Sequence, residues 1–342
     1  ASRHTVEAAK LLDADDLSVY IGIPFCPTRC AYCSFVSQSI ERFGEFLPAY
    51  LDALLREIAH TGALLKNSGF HIRTLYMGGG TPTTLSSTQM ARLLDAINRN
   101  FDLSRCLEFT VEGGRPDTLD PQKLCVIKDG GATRISINPQ TMKEETLRLI
   151  GRQHTVQQTI DSFKLAREAG FDNINMDLIV GLPEETIEDV RETMRQLEEL
   201  DPDNITVHSL AIKRAARLRM QKEQYENLHI ENTAQTIDLT AECCHEMGLE
   251  PYYLYRQKNM AGNFENVGYA KPGKAGVYNI LIMEEKQTIM ALGAGATTKV
   301  VFEDGKRIER VGNVKDITNY LDRVDEMVER KRELLKNCGQ LR

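Results

Sequence analysis

Short apolar runs alternate with helical stretches along the first two thirds of this chain, and this alternation constrains its fold more than any other feature. The apolar runs fall at 18–23, 74–77, 108–111, 133–137, 173–180 and 204–209. The stretches between them are long enough for helices, and one carries a capping box in which Ser86 is followed by Gln89. Strands that alternate with helices favour parallel βα units. The sequence therefore predicts an α/β fold with six such units.

Three cysteines follow the first apolar run at once, as Cys26, Cys30 and Cys33 in a C-x3-C-x2-C loop. Thiolates bind iron–sulfur clusters, and four of them complete the ligation of a [4Fe–4S] cube. Three thiolates leave one iron open, just as a catalytic zinc keeps an open position. The alternative is a zinc loop or a disulfide pair, but residues 34–46 contain no fourth Cys or His. The loop therefore predicts a [4Fe–4S] cluster with an open iron.

The other five cysteines are scattered and give no sign of a disulfide framework. They are Cys106, Cys125, Cys243, Cys244 and Cys338. We interpret each as a small core or surface residue rather than a second cluster ligand. An exposed cluster needs reducing conditions, so a cytoplasmic location is expected.

Charge and hydropathy exclude two classes of protein. The 49 acidic residues outnumber the 42 basic ones, which gives a net charge of −7. Broad nucleic-acid binding needs a basic surface instead, so no nucleic-acid partner is expected. An apolar stretch of about 18 residues is lacking, so we expect no membrane span. The first ten residues have no apolar signal core.

The cysteine loop, with Tyr32 before its last cysteine, resembles the radical S-adenosylmethionine (SAM) superfamily. The frame Y-x-x-I-P-F-C at 20–26 narrows the resemblance to the oxygen-independent coproporphyrinogen III oxidase (HemN/HemW-like) family, and within it to the HemZ-type branch. The matching blocks run from about Tyr20 to Thr297. The resemblance implies that the open iron chelates the amino and carboxylate groups of SAM. An electron from the cluster then cleaves SAM to methionine and a 5′-deoxyadenosyl radical.

The resemblance also implies an organisation of the chain. Residues 18–212 would form a partial (β/α)6 radical SAM barrel. Residues 213–342 would form a C-terminal α+β extension that closes the barrel over the active site, and 263–269 and 291–297 resemble the closing segments of the branch. Residues 1–17 would be an N-terminal segment left from a longer N-terminal region.

Function in such a barrel gathers at the carboxyl ends of the strands. The resemblance assigns SAM contacts to Tyr20, Gly79, Gly80, Thr81, Glu112, Gln140, Arg152, Asp177 and Ala211. Some of these types suit the role, because glycine lets a ligand approach the backbone, arginine can bind a carboxylate bidentately, and a buried aspartate is costly without a purpose. Three of these residues have an alternative to SAM binding: Tyr20 could be a core residue, Glu112 a solvated turn residue and Arg152 part of a surface ion pair. Ala211 loosely matches relatives that bind two SAM molecules, so one or two SAM are implied.

The activity implied is oxidative decarboxylation of coproporphyrinogen III to protoporphyrinogen IX in heme biosynthesis. The partners would be the tetrapyrrole and a cytosolic electron donor such as flavodoxin or ferredoxin, with the protein acting as a monomer. Phe35 stands where the well-studied oxidases have a further Cys, and the heme-binding proteins of the family share it. Heme binding and delivery is therefore an alternative, as is a radical SAM methyltransferase or heme-modifying enzyme. His154, His208 and the aromatic stretch 252–256 are further candidates, although ordinary hydrogen-bonded or strand residues would look the same.

Overall fold

The computed structural model describes residues 10, 13–33, 37–211, 228–255, 264–285, 287–302 and 307–337. Phe35, Arg256, Asn263, Cys338 and the expected boundary at residue 212 lie outside these residues. Among the described residues, no helix is both long and apolar enough to cross a membrane.

Thirteen strands and eleven helices account for most of the described chain. The strands are β1 (Asp16–Ile23), β2 (Phe25–Cys26), β3 (Gln38–Ser39), β4 (His71–Gly79), β5 (Glu108–Glu112), β6 (Arg134–Ser136), β7 (Ile174–Val180), β8 (Asn204–Ser209), β9 (Glu250–Tyr255), β10 (Asn266–Ala270), β11 (Thr288–Leu292), β12 (Thr297–Phe302) and β13 (Arg307–Gly312). The helices are α1 (Ile40–Phe43), α2 (Leu47–Lys66), α3 (Ser87–Asn100), α4 (Pro121–Asp129), α5 (Glu144–Leu149), α6 (Val156–Glu168), α7 (Ile187–Leu200), α8 (Ala234–Glu246), α9 (Val277–Met283), α10 (Ile317–Asp322) and α11 (Val324–Asn337).

One large sheet holds eleven of the strands, in the order β13-β12-β11-β1-β4-β5-β6-β7-β8-β10-β9. The six expected strands are β1 and β4–β8, and each pairs in parallel with its neighbour. In the described residues these six strands do not close on themselves, because β8 pairs with β10 and β1 pairs with β11. The six predicted parallel strands are confirmed, and strands from the C-terminal third extend the sheet on both sides.

The helices cover the apolar face of the sheet, and their ends follow the capping signals of the sequence. Ser86 and Gln89 form the expected reciprocal capping box at the start of α3. On β1 the side chains of Leu17, Val19 and Ile21 are fully buried in the main apolar core. Because successive strand residues point to opposite faces, the alternate residues of each strand face the inside of the barrel.

A buried polar cluster, which we call the Glu57 cluster, ties the C-terminal segments to α2. The Glu57 carboxylate accepts hydrogen bonds from Lys331 Nζ at 2.5 Å, Tyr320 OH at 2.5 Å, Asn313 Nδ2 at 2.8 Å and the Gly293 N–H at 2.8 Å. Glu57 is fully buried and Lys331 is 1% exposed. The ion pair is therefore shielded from water and has its remaining hydrogen-bonding groups satisfied.

Candidate functional site

A cavity of about 540 Å³ lies at the carboxyl ends of the parallel strands. It is lined by all twelve residues that the sequence analysis assigned to the cluster and to SAM, namely Tyr20, Cys26, Cys30, Cys33, Gly79, Gly80, Thr81, Glu112, Gln140, Arg152, Asp177 and Ala211. The structure thus brings together residues from six strands and their following loops, which is the arrangement expected of a barrel active site.

The inner wall of the cavity is polar because four consecutive strands alternate polar and apolar residues. The stretches read EFTVE at 108–112, RISIN at 134–138, NINMD at 173–177 and NITVH at 204–208. The apolar members of this alternation, such as Phe109 and Ile135, are buried in the core. The polar members include Arg134, Ser136, Asn138 and Thr206, which line the cavity and were missed by the motif analysis. Their signal was the period-two pattern itself.

The cysteine loop is held against the end of α5. The Ala31 N–H donates to the Ile150 carbonyl at 2.8 Å, and Thr28 Oγ1 donates to the Gly151 carbonyl at 3.2 Å. Cys30 is buried, whereas Cys26 and Cys33 are partly exposed. The three thiols are therefore presented to the cavity by a loop that is anchored to Ile150 and Gly151 by one backbone and one side-chain hydrogen bond.

Hydrogen-bond donors surround these thiols. Thr81 Oγ1 lies 3.5 Å from Cys26 Sγ, and Arg115 Nη1 lies 4.0 Å from Cys30 Sγ. Burial raises the pKa of the Cys26 thiol, an effect that the Thr81 hydrogen bond and the Arg115 charge oppose. Positive charge beside sulfur favours the thiolate that a cluster needs.

The donor set suits a cluster rather than a single ion. Among the described residues, no three His, Cys, Asp or Glu side chains converge closely enough to hold one metal ion. A cubane binds each thiolate at a different iron, so its ligands stand apart around the cube. Three thiols outside any disulfide on one anchored loop, with cationic neighbours, fit a [4Fe–4S] cluster.

The triple glycine packs against the cysteine loop. A Cβ on Gly80 would lie 2.6 Å from the Phe25 carbonyl oxygen, and Gly79 has a φ of +108°, so only glycine fits at both positions. The Gly80 N–H donates to the Ile23 carbonyl and the Thr81 N–H to the Phe25 carbonyl, at 2.8 and 2.7 Å. The glycines therefore seat the base of the cysteine loop, and these two N–H groups are already used within the protein.

Two carboxylates face the cavity with pKa values that the protein moves in opposite directions. Burial, with a contribution from the charge of Asp177, raises the pKa of Glu112 to about 7, and Tyr76 OH donates a short hydrogen bond to its carboxylate. Burial alone would also raise the pKa of Asp177, but hydrogen bonding to His208 and Asn175 lowers it below its usual value. Such a split lets one carboxyl group exchange a proton near neutrality while the other stays ionised.

Gln140 combines a strained backbone with an amide oxygen that lacks a partner. Its φ is +66°, which a non-glycine residue rarely adopts. The conformation is held because the Gln140 N–H donates to the Asp177 carbonyl at 3.0 Å and the Ile179 N–H donates to the Gln140 carbonyl at 3.0 Å. Its buried Oε1 has no hydrogen-bond partner among the described residues. An oxygen held in this way suits a ligand that donates hydrogen bonds.

The two candidate histidines have different surroundings. His208 lines the cavity with its Nε2 3.6 Å from Asp177 Oδ2 and its Nδ1 3.3 Å from Tyr255 OH. His154 is buried and does not line the cavity, and burial together with the charges of Arg152 and Arg115 lowers its pKa to about 3. Of the two, only His208 is placed to meet a ligand.

Comparison with known proteins gives consistent matches. Residues 20–197 match the model of the Radical SAM superfamily. The oxygen-independent coproporphyrinogen-III oxidase-like protein HemZ of Bacillus subtilis is 43% identical over 94% of this chain and 64% of its own length. The heme chaperone HemW of the same organism is 33% identical, over 90% of this chain and 76% of its own.

A solved structure gives a further match. It is that of coproporphyrinogen III oxidase (HemN) from Escherichia coli, described as a radical SAM enzyme, with a TM-score of 0.72 and 25% sequence identity. The match covers 94% of this chain and 72% of that one.

Proposed function

Because this chain belongs to the radical SAM superfamily and, within it, to the HemN/HemW-like family, we propose that it decarboxylates coproporphyrinogen III oxidatively to protoporphyrinogen IX. The family implies a [4Fe–4S] cluster and SAM. The observation that carries the proposal is the convergence of three thiols, two carboxylates and the strand-end glycines on one cavity.

In this proposal Cys26, Cys30 and Cys33 hold the cluster, which when bound supplies the electron that cleaves SAM to a 5′-deoxyadenosyl radical. The SAM contacts would be Tyr20, Gly79, Gly80, Thr81, Glu112, Gln140, Arg152 and Asp177, with Ala211 beside a second SAM. The Glu112 carboxylate would pair with the SAM ammonium. The Gln140 Oε1, which has no partner among the described residues, would accept a hydrogen bond from the same ammonium.

The chain's remaining task is to place a propionate side chain beside SAM and to exclude water. A propionate β-hydrogen is inert to any side-chain base, so radical chemistry from the cofactor is required. Tyr255, Asn266 and Tyr278, from the C-terminal third, line the same cavity as the cysteine loop. This supports an organisation in which 18–212 forms the catalytic barrel, whose first strand already begins at Asp16, and 213–342 covers it.

The chemistry of the cluster also bears on where the protein works and on its electron donor. All seven described cysteines lie outside any disulfide, which supports a reducing, cytoplasmic environment. A cytosolic flavodoxin or ferredoxin would deliver the electron, and we propose that the protein acts as a monomer.

A second candidate function is heme binding and delivery. It is favoured by the 33% identity to a protein named heme chaperone HemW and by Phe35 in place of the oxidases' further Cys. A carrier would bind heme tightly and would cleave SAM slowly, whether or not a porphyrinogen is present.

Coproporphyrinogen III deuterated at the propionate β-carbons separates these two functions. We expect the reduced, reconstituted protein to produce deuterium-labelled 5′-deoxyadenosine and a vinyl-bearing product, because the transferred hydrogen must come from the substrate. Mass spectrometry of both products is the measurement, and unlabelled coproporphyrinogen is the control. Unlabelled nucleoside together with stoichiometric heme binding would overturn the oxidase proposal in favour of the carrier.

The raised pKa of Glu112 makes SAM binding depend on pH. A carboxyl group with a pKa of about 7 ionises mostly above that pH, so SAM affinity should rise about eightfold between pH 6 and pH 7.5. Folding stability should move the other way. The Glu112 carboxyl group binds its proton more tightly in the folded protein than in the unfolded chain. The free energy of unfolding therefore contains a favourable contribution from protonated Glu112, and this contribution is lost as pH rises from 4.5, the ordinary pKa, through about 7.

Equilibrium dialysis with labelled SAM measures this pH dependence. The Glu112→Gln variant is the control, because it keeps a hydrogen-bonding group that does not titrate and should give weaker, pH-independent binding. An unchanged pH profile in Glu112→Gln would show that another group pairs with the ammonium.

A further inference from the structure

Three buried arginines line the cavity, and two of them make several hydrogen bonds within the protein. Arg115 pairs with Asp117 through both Nε and Nη2, at 3.0 Å each. Arg152 donates to the Asn138 carbonyl at 2.6 Å, to the Gly114 carbonyl at 3.2 Å and to Tyr32 OH at 3.3 Å. The third, Arg134, is different.

Arg134 is 1% exposed, yet its guanidinium makes only one hydrogen bond to the residues that the structure describes. Its Nε makes no hydrogen bond among the described residues, and its single contact is from Nη2 to Asn204 Oδ1 at 3.5 Å, the outer limit of a hydrogen bond. The neighbouring carboxylate of Glu108 instead accepts the N–H groups of Val277 and Tyr278 at the start of α9, and it forms no ion pair with Arg134 within the described residues.

The charges of Glu108, Glu112 and Asp177 are felt at Arg134, but among the described residues none of these carboxylates forms an ion pair with it. A buried cation without a hydrogen-bonded counter-ion is costly, and proteins normally satisfy such groups. A guanidinium offers five N–H donors in a planar fork that matches a carboxylate in bidentate fashion. Arg134 lines the cavity and can therefore be satisfied from it. An anion that enters with a ligand would supply the partner that the described residues do not.

We infer that Arg134 forms a carboxylate-binding subsite at the inner end of the cavity. Arg134 pairs with Thr110 in the sheet, whereas Ser136 pairs with Glu112. The subsite is therefore two residues, about 7 Å along the strand, deeper than the proposed SAM contact at Glu112. The guanidinium interacts electrostatically with Tyr252, with the Glu108 carboxylate, and with Tyr76 and Tyr253. Resting on the proposed function, the inference assigns a propionate group of the tetrapyrrole to this subsite.

The first test uses sodium propionate, the smallest fragment that carries the group, with neutral propionamide as its matched control. Propionate, at constant ionic strength, should raise the melting temperature of the wild-type protein and propionamide should not, since only the anion can pair with Arg134. The Arg134→Met variant replaces the methylene stem with an unbranched apolar chain and removes the charge, so it should lose the response. Because no native ion pair is broken, its own melting temperature should equal or exceed that of the wild type.

The second test titrates coproporphyrin III, the stable tetracarboxylate, and its tetramethyl ester by absorbance. Arg134→Gln should weaken coproporphyrin binding about ten- to hundredfold, as expected for a lost charged hydrogen-bond pair, and leave ester binding unchanged. Arg92→Gln, which removes an exposed arginine paired with Asp52, is the control and should bind both ligands like the wild type.

Two results would overturn the subsite. One is a fall of more than about 5 °C in the melting temperature of Arg134→Met, which would make Arg134 a structural residue. The other is equal propionate and coproporphyrin binding in the wild type and the variants. The proposed function fails separately, because a protein that responds to propionate through Arg134 but transfers no deuterium keeps the subsite and loses the oxidase activity.

Discussion

The Cys30→Ala variant is expected to lose the iron–sulfur cluster and, with it, all SAM cleavage. Cys30 is the buried cysteine of the three, and its carbonyl accepts the Cys33 N–H at 3.2 Å, so it is the centre of the loop. With only two thiolates left, two irons of the cube would lack protein ligands. Iron and sulfide analysis, visible absorption and electron paramagnetic resonance after anaerobic reconstitution measure the loss.

Cys125→Ala is the matched control, because Cys125 is an exposed free thiol outside the cavity. It should bind iron like the wild type. An intact cluster in Cys30→Ala would sink the assignment of this loop as the cluster site.

Glu57→Ala is expected to cause the largest loss of stability, about 3–5 kcal/mol in the free energy of unfolding. The substitution leaves Lys331 as a buried charge without a partner and removes the acceptor of Tyr320 OH, Asn313 Nδ2 and the Gly293 N–H. Urea denaturation followed by circular dichroism gives the value. Replacing both charges, as in Glu57→Met with Lys331→Met, should recover part of the loss, because no unpaired charge remains.

The same helix supplies the control for this prediction. Asp52, also on α2, forms an exposed ion pair with Arg92 at 2.7 Å. Asp52→Ala should cost less than about 1 kcal/mol. Equal losses in the two variants would mean that the Glu57 cluster contributes no more than a surface pair.

The six parallel strands could be predicted from the sequence because each is specified by a pattern of neighbouring residues. Each strand is an apolar run followed by a helix with its own cap, as at Ser86 and Gln89. The pairing of β11 with β1 could not be predicted in this way, because the apolar run at 288–292 does not specify a partner some 270 residues earlier. The sheet beyond the six strands depends on tertiary packing rather than on local pattern.

Some residues of the candidate site could likewise be predicted from the sequence, and others could not. The cysteines, glycines and strand-end polar residues belong to motifs, so they could be named from the sequence and all line the cavity. The period-two pattern of RISIN could have placed Arg134 on the cavity wall, but nothing in it indicates that its guanidinium would lack a carboxylate partner. The glycines also do more than the motif suggests, because the packing of Gly80 against Phe25 is visible only in three dimensions.

The position of β1 has a consequence for the order of events during synthesis. The strand leading into the cysteine loop is flanked by β4 and β11, and its residue Ile21 pairs with Leu292. At 5–20 residues per second, a ribosome needs roughly 15 to 55 seconds to make the intervening chain. Throughout that time one edge of β1 is open to pairing with other nascent chains. We therefore expect iron to enter the loop after translation, into a chain that must first be kept from aggregating.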